Sequence, residues 1–533
     1  MPQPADFLIA HARALTMDAD IPRAEAVAVR GNRITFVGSN AEAQSYRGPH
    51  TRVVDAQQCT LLPGFIDAHF HLMGGSLDLS DAQLENVKTL TELRAAVQTF
   101  AAQNASLPWR VGRGLKYAVL AHDRLARQQL DDLITDRPLI VYAYDYHTAW
   151  ANTKALELAG ILRGGKESAP NSEIMRDAAG VATGELREGG AIDPVENLIP
   201  KPDAARNRAL LQRGLKFIAQ TGVTSVHNMD GDMERLALYA ALEDVGEMTL
   251  RVYVPYSVTP ETTAEQLVEA VEMKNVQGDY VRGGAAKFFM DGVIESYTAL
   301  LLAPYADLNT WGDANYSAEH FARMALECDR RGLQIHVHSI GDAATRRTLD
   351  GFEAAQRANG RRDSRHRIEH IELIHPDDIP RFKPLGVIGS MQPYHCPPAA
   401  DGSDVWPERV GRERWPLSFA WQTLREAGVH LAFGSDWPVV NYNPMLGVHA
   451  ALNRQPWAPG QPEQRQTLMD TLASYTRDAA YAEFMENQKG QLRVGWLADM
   501  VLLSADLEQT PAEAVAEVHP VLTMVDGRVV YEG

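Results

Sequence analysis

The stretch LLPGFIDAHFHL, residues 61–72, decides how this chain is read. It forms an apolar strand that ends in His69-Phe70-His71, and side chains two apart on a strand point the same way. Two imidazoles on one face of a strand end can share one cation. Asp67 belongs to the same alternating set and is expected to support the ligands rather than to bind metal. Working outward, eight further strand-like runs follow: RPLIVYAYD, GVTSVHN, LRVYVPYS, GAAKFFMDG, LQIHVHS, RHRIEHI, GVIGSMQP and VHLAFGSD. Helix-like segments alternate with them. In SAEHFARMALECDRRG, for example, Phe321, Met324, Ala325 and Cys328 recur at helical spacing and Gly332 supplies the stop. Strand and helix in alternation predict a parallel sheet, and a closed (β/α)₈ barrel of the TIM type holds eight strands.

The ninth strand is surplus. His71 and Thr221 are 150 residues apart, where a βα unit needs about 30. An inserted subdomain over residues 75–210 is therefore expected, with RPLIVYAYD at 137–145 inside it. The barrel itself is assigned to 62–486.

Both ends of the chain read as sheet. Gly31-Asn32 and Asp526-Gly527 each sit between two apolar runs as hairpin turns, and neither end is long enough to bury a sandwich core alone. Residues 1–61 and 487–533 are expected to pack as one composite β-sandwich domain, which makes the fold class α/β with a small β-domain built from both termini. The stretch QPYHCPPAADGSDVWPERVGRERWP, 392–416, reads as a long loop after the seventh barrel strand, and Gly112-Arg113-Gly114 as a turn rather than a dinucleotide site.

Composition narrows the partners. A formal charge of −18 over 533 residues disfavours nucleic acid and anionic membrane surfaces. No apolar run approaches the roughly 18 residues of a membrane span, and the first residues lack a signal-peptide pattern, so a cytoplasmic location is expected. The three scattered cysteines call for no disulfide framework. A small-molecule substrate is expected, and self-association into a homo-oligomer is left open.

Ligand-type residues end three more strands: His338 and, further from the end, His336 on LQIHVHS, then His370 on RHRIEHI and Asp436 on VHLAFGSD. A barrel places its active site at these carboxyl ends. His336 is assigned to the core or to support of the ligands, and His366 to a structural role. Lys287 lies in a strand buried on both faces and must lose its charge, find a carboxylate or be modified.

With the order HxH, Lys, His, His, Asp, and with the segments KFFMDG, HVHSIGDAA, RIEHIELI, FGSDWPV and GWLADMVLL, the chain resembles the amidohydrolase superfamily. Its finer pattern is similar to family 3, the YtcJ-like or N-substituted formamide deformylase-like branch. The resemblance covers nearly the whole chain and implies a metal-dependent hydrolase barrel. It also implies that His69 and His71 bind one divalent metal with Asp436, that His338 and His370 bind a second, and that Lys287, carboxylated on Nζ, bridges them. A mononuclear site held by His69, His71, one later histidine and Asp436 stays open. Zinc is the default metal for such a set, with iron, manganese or cobalt as alternatives.

The activity implied is hydrolysis of a non-peptide carbon–nitrogen bond, amide- or formamide-like, in a small molecule. Metal-activated hydroxide would attack, with Asp436 as general base and then acid. A heterocycle deaminase, or a hydrolase of cyclic amides, esters or organophosphates, is the alternative, and a non-catalytic binding protein is the third reading. Tyr144, Asp145, Tyr146, His147 and Trp150 of the insertion either shape a pocket or form that subdomain's own core. His147 and Asn152 match the family's motif and are expected at the substrate, with His227 and Gln392 as further mouth-lining residues.

Overall fold

The computed structural model describes residues 2–120, 125–168, 172–402 and 404–533. At its centre eight parallel strands follow one another in chain order around a barrel. They are β1 (Phe65–Phe70), β2 (Val223–Asn228), β3 (Arg251–Ser257), β4 (Val281–Phe289), β5 (Gln334–Ser339), β6 (Arg367–His370), β7 (Ile388–Met391) and β8 (Leu431–Phe433). β1, β2, β5, β6, β7 and β8 are buried along their whole length, as strands covered on both faces are.

β8 is only three residues long, and the chain beyond it closes the ring. The Asp436 N–H donates to the His69 carbonyl (2.7 Å) and the His71 N–H to the Trp437 carbonyl (2.9 Å). Gly434 makes this approach possible, because a Cβ there would meet the His69 amide nitrogen and the Asp67 carboxylate. The fold is the α/β barrel expected from the strand count.

The helices between strands follow their sequence signals. In Ala318–Arg330 the Ser317 hydroxyl accepts from the His320 N–H (3.2 Å), Phe321, Met324, Ala325 and Cys328 are buried, and Gly332 (φ 70°) follows the last turn in the left-handed region.

The chain ends meet in one sheet. Its order is Arg528–Glu532, Pro520–Val525, Met500–Leu503, Thr60–Pro63, Arg13–Leu15, Arg23–Ala24, with Met500 opposite Pro63 across an antiparallel pair. A four-stranded sheet of N-terminal strands packs on it, and Ile9, Val27, Val29, Met500, Leu502 and Met524 share one core. Both expected hairpins are present, with Gly31, Asp526 and Gly527 at positive φ. The buried Arg251 of β3 ties this domain to the barrel through Asp499 (2.6 Å) and Asp526 (2.9 Å).

Between β1 and β2 a six-stranded mixed sheet is inserted, spanning Ala82 to Arg187. Leu139–Ala143 is one of its central strands, which accounts for the ninth run. Apolar cores lie on its two faces. Residues 121–124 and 169–171 of this stretch lie outside the described residues. Helix Ala204–Ala219, which begins inside the 75–210 span, packs on helix Leu72–Asp78 and leads into β2, so it serves the barrel.

The expectation of a turn at Gly112-Arg113-Gly114 is corrected: all three lie within strand Arg110–Leu115. The two glycines let the strand pass close to Leu84 and Glu85, while Arg113 packs over the Tyr142 ring. The 392–416 stretch is a loop carrying three short helical turns, with Ser403 outside the described residues. No helix among the described residues is long and apolar enough to cross a membrane.

Candidate metal centre

The carboxyl ends of β1, β5, β6 and β8 bring the expected residues together around Asp436. Its Oδ1 lies 3.3 Å from His69 Nε2 and 3.1 Å from His71 Nε2. Its Oδ2 lies 4.0 Å from His370 Nδ1 and 3.9 Å from the Nε2 of His395, which the sequence reading had not singled out. The His370 ring sits between those of His69 and His338, with centroids 4.6 and 4.4 Å away. Lys287 is fully buried on β4, its Nζ 3.9 Å from the Phe289 ring centroid.

Backbone strain marks the same spot. Asp436 (φ 63°), His370 (φ 74°) and Ile371 (φ 51°) are in the left-handed region. For residues other than glycine this costs roughly 1–3 kcal/mol each and persists where surrounding contacts hold it.

Carboxylates stand behind the imidazoles. His69 Nδ1 is 2.8 Å from Glu369, His71 Nδ1 3.1 Å from Asp230 and His338 Nδ1 3.3 Å from Asp291. In His69 and His71 the hydrogen-bonded carboxylate fixes which ring nitrogen is free and turns it toward a cation, whereas His338 Nδ1 makes no such bond. Asp67, as expected, supports rather than ligates: it accepts from the backbone N–H groups of His69 and Ser435.

Burial holds His69, His338 and His370 well below the ordinary imidazole value, so they are neutral and keep a lone pair. For His71 burial works the same way but is overcome by Asp230 and Asp436, which push it up to about 9. Burial would raise Asp436, yet His69, His71 and His395 hold it well below the usual carboxylate range. Lys287 is pushed down to about 8, mainly by burial and against the pull of Glu369 and Asp436.

The donor set fits a divalent cation. Lys287 Nζ, His338 Nδ1, both ring nitrogens of His370 and Asp436 Oδ1 are buried without a hydrogen-bond partner. Each such atom costs about 1–3 kcal/mol if nothing else satisfies it.

Comparison with known proteins agrees with this geometry. Residues 52–531 match the model of the amidohydrolase family. The chain belongs to the amidohydrolase family. This amidohydrolase is 30% identical to the protein LONG AFTER FAR-RED 3 of Arabidopsis thaliana, over 94% of its own length and 88% of the relative's. It is 26% identical to the N-substituted formamide deformylase of Arthrobacter pascens, over 100% and 99% of the two chains. A solved structure of an uncharacterized metal-dependent hydrolase from Pyrococcus furiosus superposes with a TM-score of 0.72 at 26% identity, covering 93% of this chain and 98% of that one. Family and neighbours support a hydrolase that works with a divalent metal.

The remaining expected residues of the amidohydrolase divide. His147 stands at the mouth, its ring 5.8 Å from that of His338 and its Nδ1 2.7 Å from Glu188. Tyr144 donates to Glu295 (2.8 Å) on the loop after β4, and Glu188 accepts from Ser296 (3.2 Å) on the same loop. Trp150, in contrast, belongs to the insertion's core, and Tyr146 is held by Asp78 and Arg113. Gln392 is buried at the end of β7.

Two expected substrate contacts are corrected. The Asn152 carboxamide oxygen accepts from Leu139 N–H and Ala155 N–H, both at 3.0 Å, and its nitrogen donates to the Arg137 carbonyl; it caps helix Thr153–Leu158 and is fully used inside the insertion. His227 is fully buried in the barrel, with Nδ1 accepting from Arg367 (2.6 Å) and Nε2 3.3 Å from Glu483. His336 and His366 are core residues, as expected: His336 bonds Gln334 (2.9 Å) and His366 accepts from the Ile335 N–H (3.1 Å).

Sequence reasoning missed Asp230, Asp291, Glu369, Glu372 and His395. Three of these, Asp291, Glu369 and Glu372, lie one or two residues from the end of a strand already marked by a ligand, as in KFFMDG and RIEHIE, and that closeness was the available signal; Asp230 lies two residues beyond β2. Glu369 carries a second one, since Arg367-Ile368-Glu369 puts opposite charges on one face of a buried strand.

Proposed function

We propose that this amidohydrolase cleaves a non-peptide carbon–nitrogen bond, amide- or formamide-like, in a small molecule. The observation that carries the reading is the seat of Asp436, whose Oδ1 lies 3.1 and 3.3 Å from two imidazole Nε2 atoms at the open end of a barrel. His69, His71 and Asp436 would hold one divalent ion, most plainly zinc. His338, His370 and a carboxylated Lys287 would serve a second; the low basicity of the Lys287 amine, about 8, leaves a larger neutral fraction for reaction with carbon dioxide. Bound there, a divalent cation supplies Lewis acidity toward a carbonyl oxygen and toward water.

The chain's own groups do the rest. Asp436, kept ionised, takes the proton of the attacking water and returns it to the leaving nitrogen, which cannot depart as an amide anion. Glu369 and Asp230 hold the His69 and His71 rings in register. His147, at the insertion's edge, and Gln392, at the end of β7, would face the substrate, and the insertion, joined to the loop after β4 through Tyr144–Glu295 and Glu188–Ser296, would help to exclude water. The protein is proposed to act in the cytoplasm on a soluble substrate.

The Arthrobacter relative, an N-substituted formamide deformylase, points to formamides as the first substrates to try. The test is a panel of N-formyl, N-acyl and cyclic amides offered to the metal-analysed enzyme, with released amine or opened ring as the readout. Turnover by wild type that falls at least about 100-fold in Asp436→Asn, with melting temperature preserved, supports the reading. Full activity in Asp436→Asn sinks the assigned role.

A further inference from the structure

Toward its amino-terminal end, away from Asp436, the barrel interior is polar, where branched apolar side chains ordinarily fill it. Ser225 and His227 are two apart on β2, and Arg367 and Glu369 two apart on β6, so each pair shares one face of its strand. Glu483 and Lys489 join them from the segment that follows helix Arg477–Ala482. Strand starts hold the end of that helix in place: Gln334 of β5 donates to the Ala482 carbonyl (2.8 Å), and Arg365, two residues before β6, donates to the Tyr481 carbonyl (2.6 Å). All six residues of the plug are at most 3% exposed.

Their contacts form one chain that ends on the catalytic face. Lys489 Nζ lies 2.6 Å from Glu483 Oε1, and the same oxygen lies 3.3 Å from His227 Nε2. His227 Nδ1 lies 2.6 Å from Arg367 Nη1. Arg367 grips both oxygens of Glu369 (2.9 and 3.0 Å), and Glu369 Oε2 lies 2.8 Å from His69 Nδ1.

The chemistry of the groups gives the chain a direction. A guanidinium only donates, so His227 Nδ1 accepts, and the neutral imidazole carries its proton on Nε2, facing Glu483. Burial keeps His227 below the ordinary imidazole value against the pull of Glu483, in accord with a neutral ring. At the other end Glu369, held ionised by Arg367, only accepts, so the His69 proton stands on Nδ1 and its lone pair on Nε2. The two cations and two carboxylates of the chain balance while His227 is neutral.

We propose that His227 and Glu483 are positioning residues for the first metal ligand: they orient Arg367, which presents Glu369 to His69 so that Nε2 is the nitrogen left for the cation. The proposal rests on the hydrolase reading in that His69 is taken as a ligand. A buried ion-pair network is weak support for stability, since apolar side chains of like volume often replace one without loss. A plug that only filled space would need neither these charges nor their order. In His227→Leu, Arg367 Nη1 loses its acceptor, while the guanidinium keeps Ser390 and the Ala68 carbonyl besides Glu369. It is then free to turn from Glu369 Oε2, the oxygen it shares with His69. In His227→Gln the side chain offers an oxygen to Arg367 and an NH₂ to Glu483, and the order is restored.

The test is the affinity of chelator-stripped full-length protein for its tightest equivalent of Co²⁺, read by competition with a chromophoric chelator, with the melting temperature of the metal-free protein measured alongside. His227→Leu should bind about 10-fold more weakly, the lower end of what losing a group that orients a ligand costs, and His227→Gln should stay within about threefold of wild type. Glu483→Gln reads the same chain from its far end if His227→Leu does not fold; it removes the charge facing His227 and Lys489 and should weaken binding at least about threefold. A folded His227→Leu protein weakened by less than about threefold, whatever its melting temperature, overturns the proposal and leaves the hydrolase reading intact. Equal weakening in His227→Leu and His227→Gln also overturns it, because the shape of the imidazole and not its hydrogen bonds would then set the affinity. Wild-type affinity in Glu483→Gln does the same. A wild type that binds no Co²⁺ overturns the proposal and the hydrolase reading together.

Discussion

Replacing Glu369 with glutamine changes one oxygen into an NH₂ group, and the structure allows the consequence to be worked out. Glu369 Oε2 accepts from His69 Nδ1 (2.8 Å) and from an Arg367 terminal nitrogen (3.0 Å), while Oε1 accepts from Arg367 Nε (2.9 Å). All three side chains are at most 1% exposed, so water cannot substitute. Glutamine has a single acceptor oxygen. With that oxygen toward His69, its NH₂ meets the Arg367 Nε–H donor; with the amide flipped, His69 loses the group that orients its ring. Either way Arg367 becomes a buried cation short of its counter-charge, retaining only neutral acceptors: His227, Ser390 and the Ala68 carbonyl.

Removing one partner of a buried pair costs about 3–5 kcal/mol of stability. Loss of a carboxylate behind a metal-binding histidine weakens metal binding about 10–100-fold, or about 1.4–2.7 kcal/mol. The two effects are separable: urea denaturation of the metal-free protein reads the first, and competition with a chromophoric chelator reads the second in variant that remains folded. A Glu369→Gln protein that binds its first metal within about threefold of wild type would refute the claim that this carboxylate sets the His69 ring.

Two further outcomes follow from the same contacts. Asn152→Ala should lower stability by about 1–3 kcal/mol through the lost cap and the unsatisfied Leu139 N–H, with KM unchanged in the folded fraction; a raised KM at unaltered stability would restore Asn152 to the substrate. Glu483 gives an acid dependence: burial would raise its pKa from 4.5, but Lys489 (2.6 Å) and His227 hold it down at about 2. A pKa lowered on folding contributes stability that is present above about pH 4.5 and lost as pH falls toward 2, so denaturation midpoints should decline across that window in wild type and less steeply in Glu483→Gln.

Much of the architecture was legible because it rests on local chemistry. Apolar strand runs, a helix with its serine cap and glycine stop, and hairpin dipeptides are each decided within a few residues. Asp526-Gly527 turns where it does because both residues adopt positive φ, which the residue types announce. The Gly112-Arg113-Gly114 reading failed for the complementary reason. Glycines that mark a turn by composition are here needed for close packing within a strand, and nothing local separates the two uses.

The site divided along the same line. That His69, His71, His338, His370 and Asp436 lie at one end of the barrel was legible because a barrel directs strand ends to one face, so position along the strand implies position in space. Asn152 and His227 match a motif and a strand end just as well, yet one caps a helix and the other is locked between Arg367 and Glu483. His395 lies on a loop, and no periodicity says where a loop side chain points.

By itself, then, the sequence determined the order of strands, the surplus that had to be an insertion, and the ligand-type residues carried on the strand ends, because these depend on spacing along the chain. The tertiary structure alone decided which of those residues share a carboxylate, which face of Asp436 each one meets, and that His395 comes to its second oxygen. Those facts depend on distances between segments hundreds of residues apart, such as His69 and Glu369 at 2.8 Å, and packing rather than local propensity sets them.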